Sequence, residues 1–192
     1  MDEAGFETAH VAGNSLGGYV ALQLAARGRA RSVTALAPAG GWAEDDESFR
    51  ETLAFFTSMH EQVKAAAPHA DAIAATPEGR RRATYFIANE IDHIPAELIA
   101  HQIAGAALCE AGPLIECAER EGYDLDAEAV ACPVRIVWGT DDRILAWPGT
   151  AARFRDTWLP RAEWIELDGI GHCPQLEVPL ETTQLILGLT GG

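Results

Sequence analysis

The sequence predicts an α/β fold in which a parallel sheet of about four strands, with flanking helices, carries an inserted all-helical block. Two observations support this. Short apolar runs alternate with helical patterns towards both ends of the chain, and the four candidate strands cover residues 9–13, 33–37, 133–138 and 163–167. From Pro38 to about Ala131, helical patterns instead follow one another without a convincing strand. Alternating strands and helices favour a parallel sheet, because the helices cover its faces.

The first unit of the chain is a predicted strand, helix and strand. The strand at residues 9–13 leads into a glycine-rich turn, and a helical pattern then runs to about Arg27, where Gly28 ends it. The apolar run at residues 33–37 is typical of a parallel strand that is buried on both faces. Together these elements make a βαβ unit.

The turn in this unit has the pattern of a nucleophile elbow, Gly13-Asn14-Ser15-Leu16-Gly17. In such a turn the serine lies between a strand and a helix, and its hydroxyl is lifted above the sheet. Glycine at 13 and 17 is expected to leave room for the tight turn. The helix that starts after Ser15 would direct free backbone N–H groups at a developing oxyanion. A simple glycine turn is the alternative interpretation.

The helical block contains four predicted helices. One covers residues 47–66, and the others begin at Thr76-Pro77, at Pro95 and at Pro113, where a proline or a capping hydroxyl favours a helix start. We expect residues 39–131 to form a cap on a core of residues 1–38 and 132–192. Four aromatic residues of the block either line an apolar pocket or belong to its core: Phe55, Phe56, Tyr85 and Phe86.

The last two predicted strands each end in a loop with a candidate catalytic side chain. Asp141 and Asp142 follow the strand at residues 133–138, and His172 follows the strand at 163–167. A helix is expected between these strands, at residues 149–158. The carboxyl ends of parallel strands are where open α/β sheets bind their ligands. The sequence thus places a serine, an aspartate and a histidine at one edge of the sheet.

Composition excludes several classes of function. The chain has 192 residues, a net charge of −15 and 48% hydrophobic residues. So negative a protein would be repelled by nucleic acid and by anionic membranes. No apolar stretch is long enough to span a bilayer, and the acidic start Met1-Asp2-Glu3 is unlike a signal peptide, so a cytoplasmic protein is expected.

The cysteines and the remaining histidines give no metal or redox pattern. Cys109, Cys117, Cys132 and Cys173 lack Cys-x-x-Cys spacing, so buried free thiols are expected. The other histidines are interpreted as surface or core residues: His10, His60, His69, His93 and His101. We expect neither a metal nor an organic cofactor.

Three motifs taken together resemble the α/β-hydrolase superfamily, and within it the serine-triad members with a helical cap. They are Ala12-Gly13-Asn14-Ser15-Leu16-Gly17-Gly18, Trp138-Gly139-Thr140-Asp141-Asp142-Arg143 and Gly171-His172-Cys173-Pro174-Gln175-Leu176-Glu177. The resemblance covers the whole chain and implies a partial α/β-hydrolase fold. It also implies hydrolysis of an ester, thioester, lactone or carbon–carbon bond.

The residues suggest a role for each member of the triad. Ser15 is the expected nucleophile, His172 the base that takes its proton, and an aspartate the group that orients the imidazole. The family pattern favours Asp142 as the acid, with Asp141 second and Asp45 or Asp46 as outside candidates. The backbone N–H of Leu16 is the expected oxyanion donor. Serine at the elbow argues against epoxide hydrolase and haloalkane dehalogenase chemistry, for which the family uses aspartate.

In the resemblance, the elbow follows the fifth of eight strands, so a longer gene product that extends upstream of Met1 is expected. The strand at 9–13 would then be an open edge, able to pair with another chain. A small apolar molecule is the expected substrate. The alternative is a truncated or catalytically silent protein that binds or interacts without turnover.

Overall fold

A parallel four-stranded sheet forms the centre of the molecule, as predicted. The computed structural model describes residues 1–43 and 46–191. The strands are β1 (Ala9–Asn14), β2 (Ala30–Leu36), β3 (Val134–Gly139) and β4 (Glu163–Leu167), and they lie side by side in the order β1-β2-β3-β4. Every neighbouring pair is parallel. All four strands therefore end at the same edge of the sheet, where the candidate catalytic loops follow.

Helices connect and cover the strands. In chain order they are α1 (Leu16–Ala26), α2 (Ser48–Ala66), α3 (Ala70–Ala74), α4 (Pro77–Thr84), α5 (Ala96–Ala107), α6 (Ala111–Glu121), α7 (Pro174–Glu177) and α8 (Pro179–Thr190). The Thr76 side chain caps α4 by accepting a hydrogen bond from Gly79 N–H. Helices α2, α4, α5 and α6 match predicted helices, whereas α3, α7 and α8 were not predicted.

One predicted helix has a different form in the structure. Residues 149–158 do not form an α-helix but a 3₁₀ turn at Gly149–Ala151 followed by a π-helical turn at Phe154–Trp158. Phe154 is fully buried, and Leu159 N–H donates to its carbonyl at 2.7 Å, which closes the wider turn. At the start of the chain, Asp2–Ala4 form a 3₁₀ turn that is closed by Gly5 at φ 74°.

The chain has a main core and a separate core in the helical block. The main core joins β2, β3, α1 and the turn that carries Phe154. The second core consists of alanine and isoleucine side chains from α3 and α5 and from the segment between α4 and α5. The main core also includes Trp42 and Leu125 from the predicted cap. The division into a cap of residues 39–131 and a core of residues 1–38 and 132–192 stays a prediction.

Strand β1 lies at one edge of the sheet and pairs only with β2 among the described residues. That this edge pairs with another chain also stays a prediction. No single helix in the described ranges has both the length and the apolar composition to cross a membrane, and only α5 and α6 together, bent by 64°, reach those limits.

Candidate active site

Ser15 lies in a sharp turn between β1 and α1. Its backbone has φ 56° and ψ −121°, a region that residues other than glycine rarely adopt. Ser15 N–H donates to the Leu36 carbonyl at 2.9 Å, and the Ser15 carbonyl accepts from Ala39 N–H at 3.1 Å. Contacts on both sides of the residue therefore hold a conformation that costs about 1–3 kcal/mol.

The glycines that this turn requires are not the two that the motif suggested. A Cβ atom at Gly13 would overlap the Gly17 carbonyl oxygen and lie 2.8 Å from Gly18 N. At Gly18 it would lie 3.0 Å from Pro38 Cβ. A Cβ at Gly17 would meet nothing within 4 Å. The expectation that Gly17 relieves an obstruction is wrong, and Gly13 and Gly18 provide the close approach.

Alanine at Gly13 and at Gly17 is therefore expected to have very different effects. Gly13→Ala pushes β1 away from the start of α1 and should lower the free energy of unfolding by about 3 kcal/mol. Gly17→Ala should change it by less than about 0.5 kcal/mol, because its methyl group meets open space. Denaturant unfolding of both variants makes the comparison, and equal destabilisation would contradict the role given to Gly13.

His172 and Asp142 form a buried hydrogen-bonded pair. His172 Nδ1 lies 2.7 Å from Asp142 Oδ2, and both side chains are almost fully buried. The other oxygen, Asp142 Oδ1, accepts from the backbone N–H groups of Ile144 and Leu145, each at 2.8 Å. The carboxylate is thus fixed at both oxygens. A proton on Nδ1 that faces this carboxylate leaves Nε2 of the imidazole as a proton acceptor.

The other candidate acids lie elsewhere. Asp141 is exposed, and its backbone N–H donates to the Ile170 carbonyl at 3.0 Å. Asp46 lines a cavity of about 340 Å³ between the start of α2 and the loop after β3. Asp45 lies outside the described residues. Of the candidate acids that the structure describes, Asp142 alone hydrogen-bonds to the His172 ring.

Asn14 connects the elbow to the histidine loop, a role that the sequence did not suggest. Its Nδ2 donates to the Leu36 carbonyl at 3.0 Å and to the His172 carbonyl at 2.9 Å. Its Oδ1 accepts from Gln175 Nε2 at 3.1 Å. These contacts hold the loop of His172 next to the elbow that carries Ser15. The side chains of Ser15 and His172 are not hydrogen-bonded to each other. A hydrogen bond between a catalytic serine and its histidine often forms fully only when substrate binds.

The remaining candidate groups have simple environments. Leu16 is the first residue of α1, and its N–H has no acceptor within residues 1–43 and 46–191. His10 Nδ1 lies 2.8 Å from Ser32 Oγ, and His93 Nε2 lies 3.0 Å from the Leu176 carbonyl. The described residues contain no group of three or more His, Cys, Asp or Glu side chains that could hold a metal ion.

Phe55, Phe56, Tyr85 and Phe86 of the helical block form a partly buried aromatic cluster. Phe55 is in ring contact with Phe56 and Phe86, with centroids 5.5 and 4.8 Å apart, and Phe86 also contacts Tyr85. Phe55 lines the cavity of about 340 Å³, and Tyr85 lines a second one of about 320 Å³. Neither cavity is lined by Ser15 or His172. Phe55 and Tyr85 therefore border cavities, and the Tyr85 ring lies 4.5 Å from the guanidinium of Arg143, the residue that follows Asp142.

Cys173 follows the histidine directly and is buried. Burial raises the pKa of the Cys173 thiol to about 12, and the Asp142 carboxylate acts in the same direction. The thiolate is the reactive form of cysteine. A raised pKa favours the protonated thiol, so reactivity should be low at neutral pH and should increase as the pH rises towards 12.

Iodoacetamide is therefore expected to distinguish two of the cysteines. At pH 8 only about one Cys173 thiol in 10⁴ is ionised, whereas the exposed Cys109 is accessible to the reagent. Peptide mapping by mass spectrometry should show rapid labelling of Cys109 and none of Cys173 in the folded protein. Cys173 should react once the chain is unfolded. Equal rates in the folded protein would contradict the buried thiol.

Comparison with known proteins gives both family and fold. A sequence profile described as the alpha/beta hydrolase family matches residues 2–185. The epoxide hydrolase EphH of Mycobacterium tuberculosis (strain ATCC 25618 / H37Rv) is 35% identical over 189 residues, which cover 97% of this chain and 87% of that protein.

Solved structures with the same fold include several hydrolases. The 2-hydroxy-6-oxo-6-phenylhexa-2,4-dienoate hydrolase of Rhodococcus sp. strain RHA1 superposes with a TM-score of 0.64 at 20% identity, over 100% of this chain and 67% of its own. The carboxylesterase CesB of Bacillus subtilis gives 0.62 at 18% identity, over 100% of this chain and 62% of its own. A membrane phospholipase A gives 0.65 at 21% identity, over 98% of this chain and 60% of its own. The chain thus spans about three fifths to two thirds of these structures, and at these identities the likeness shows the fold alone.

Proposed function

Because the chain belongs to the alpha/beta hydrolase family, we propose that it is a serine hydrolase that uses Ser15, His172 and Asp142 on an ester, thioester, lactone or carbon–carbon bond. The main support for this proposal is the buried hydrogen bond between His172 Nδ1 and Asp142 Oδ2. The loop of His172 is also hydrogen-bonded to Asn14, which directly precedes Ser15. A catalytic base requires a carboxylate that orients its imidazole next to the nucleophile, whereas a purely structural histidine does not.

The proposed reaction has two halves. His172 Nε2 takes the proton of Ser15 Oγ as the oxygen attacks the carbonyl carbon, and the leaving group departs with that proton. Water then attacks the acyl-enzyme with His172 again as base, which returns Ser15 and releases the acid. Asp142 keeps the imidazole in the right tautomer and stabilises its positive form. The Leu16 N–H, free of an acceptor in the described chain, would donate to the oxyanion of both steps.

For the substrate we propose a small or medium-sized molecule with an apolar acyl or ring portion. The cluster of Phe55, Phe86 and Tyr85 supports this, since it offers aromatic surface that contacts Arg143 in the loop after Asp142. An apolar group placed there would be stabilised in proportion to the area it buries. Activity on large charged substrates alone would argue against this choice.

Epoxide opening is the second candidate, because the 35% identical relative from Mycobacterium tuberculosis is named an epoxide hydrolase. The elbow of this chain carries serine, and attack by Ser15 Oγ on an epoxide carbon would form an ether. An ether has no carbonyl for water to attack, so the enzyme would remain alkylated. An aspartate nucleophile would instead give an ester that water can hydrolyse. This chemistry favours acyl transfer for the present chain.

One experiment compares these candidates. The folded chain is treated with a fluorophosphonate or with a small aromatic epoxide, and intact mass and peptide mapping locate any adduct. The proposal expects one phosphonylation at Ser15, together with turnover of p-nitrophenyl esters. Catalytic formation of diol from the epoxide, without labelling of Ser15, would favour epoxide hydrolysis. A folded chain that neither labels nor turns over either substrate would favour the catalytically silent binding protein.

A further inference from the structure

We propose that Glu177 is a positioning residue that fixes the His172 loop and joins it to residues 87–93, which lie within the segment that connects α4 to α5. This inference rests on the proposed function, because its consequence is the position of the base. Glu177 is the last residue of α7 and is only 4% exposed. A carboxylate in such a place needs donors that compensate for the lost water.

The donors are three backbone N–H groups from two parts of the chain. Glu177 Oε1 accepts from Gly171 N–H at 2.6 Å. Glu177 Oε2 accepts from Asn89 N–H at 2.9 Å and from Glu90 N–H at 3.0 Å. Gly171 directly precedes His172, whereas Asn89 and Glu90 belong to the helical block. No Lys or Arg side chain of the described chain pairs with this carboxylate, so the backbone donors are its partners.

The same segment holds the histidine loop on both sides of His172. Asn89 Nδ2 donates to the Gly169 carbonyl at 3.0 Å, three residues before the histidine. Cys173 N–H, immediately after it, donates to the Ile87 carbonyl at 2.8 Å. A Cβ atom at Gly171 would lie 2.8 Å from Glu177 Oε1 and 3.3 Å from Ala88 Cα. The loop and the segment therefore fit together with no room for a larger residue.

The chemistry of this contact requires a carboxylate. Its two oxygens accept three N–H groups that arrive from opposite directions, and both oxygens are acceptors only when the group is ionised. A glutamine has the same shape but one oxygen. If that oxygen stays with Asn89 and Glu90, its amide N–H₂ faces the Gly171 N–H, and two donors meet. Every orientation of glutamine leaves at least one buried N–H without an acceptor.

Loss of the contact should act on catalysis through His172. Gly171 N–H would lose its acceptor on α7, and fewer hydrogen bonds would join the segment at 87–93 to the loop. A displacement of about 1 Å in a catalytic group can lower the rate about 100-fold. Since neither Glu177 nor residues 87–93 contacts the reacting atoms, the effect should appear in the rate of Ser15 acylation and less in KM.

The test compares Glu177→Gln with Glu181→Gln, which removes the same charge from an exposed position in the first turn of α8. Amide hydrogen exchange is measured at Gly171, Asn89 and Glu90, and fluorophosphonate labelling of Ser15 is followed across pH. We expect Glu177→Gln to speed exchange at these three amides at least about 10-fold and to slow labelling about 10- to 100-fold, with a shifted pH profile. Glu181→Gln should match the wild type in both measurements.

The two measurements separate the possible outcomes. Unchanged exchange at the three amides in Glu177→Gln overturns the positioning role of Glu177, whether or not the wild type labels. Failure of the wild type to label would refute only the proposed function. Faster exchange with unchanged labelling also overturns the positioning role, because Glu177 would then be merely structural. Should Glu177→Gln fail to fold, Asn89→Ala removes the side-chain hydrogen bonds to the Gly169 and Asp141 carbonyls and keeps the backbone contact with Glu177. It should slow labelling by at least about 3-fold, and labelling at the wild-type rate would overturn the proposal.

Discussion

Replacing Ser15 with alanine is expected to lower kcat for ester hydrolysis by about 10⁶-fold, the size of effect seen when a triad nucleophile is removed. The reason is that no other group at the elbow can form the acyl-enzyme. Binding should survive, because the fold and the aromatic cluster are unchanged, so KM should move little. The measurement is steady-state hydrolysis of a series of p-nitrophenyl esters, corrected for the uncatalysed rate.

A matched control for this variant is Ser58→Ala. Ser58 is exposed on α2 and accepts a weak hydrogen bond from Gln62 Nε2 at 3.3 Å. Its loss removes the same hydroxyl from the protein without touching the elbow, so wild-type rates are expected. Hydrolysis by Ser15→Ala within about 10-fold of the wild type would exclude a covalent role for Ser15 and would require water as the direct nucleophile.

Asparagine at position 142 is expected to lower kcat by about 10⁴-fold, with little change in the fold. The structure specifies why. An asparagine would keep its oxygen towards the N–H groups of Ile144 and Leu145, which now donate to Asp142 Oδ1. Its N–H₂ would then face His172 Nδ1, which would have to accept. The imidazole proton would move to Nε2, and the base could no longer take the Ser15 proton.

Asp141→Asn is the control, since it removes the same charge one residue away from an exposed position. It should keep activity within about 3-fold of the wild type, because surface charges away from a site have small effects. Rates of both variants over pH 5–9 make the comparison. The opposite ranking of the two variants would mean that the acid is Asp141 and that the observed pair of His172 and Asp142 is only structural.

The sequence predicted those parts of the molecule that depend on local pattern. All four strands were predicted to within three residues at either end, since a run such as residues 133–138 needs only neighbouring apolar side chains to be recognised. Ser15 and His172 could be proposed as site residues because each follows a strand within a short motif. Helix α8 was missed, although Pro179 marks its start, because its apolar residues do not form one clear face.

What the sequence could not predict depends on partners far apart in the chain. Asn14 and His172 are separated by 158 positions, and Glu177 and Asn89 by 88. The hydrophobic pattern of a short stretch of sequence contains no information about a contact between residues so far apart. One signal was nevertheless present, since Glu177 is an acidic residue in the otherwise uncharged run from Cys173 to Leu180. A charge in such a run calls for a buried partner.

The strained backbone of Ser15 also has a consequence for how this protein can evolve. Glycine adopts φ 56° without penalty, so the single change Ser15→Gly would relieve strain of about 1–3 kcal/mol while removing the hydroxyl. In a lineage under selection for folding alone, glycine would be favoured at this position and serine would be lost. Under the proposed function the reaction is what favours serine over glycine, so we expect serine at position 15 in descendants of this gene that retain hydrolysis and glycine in those that lose it.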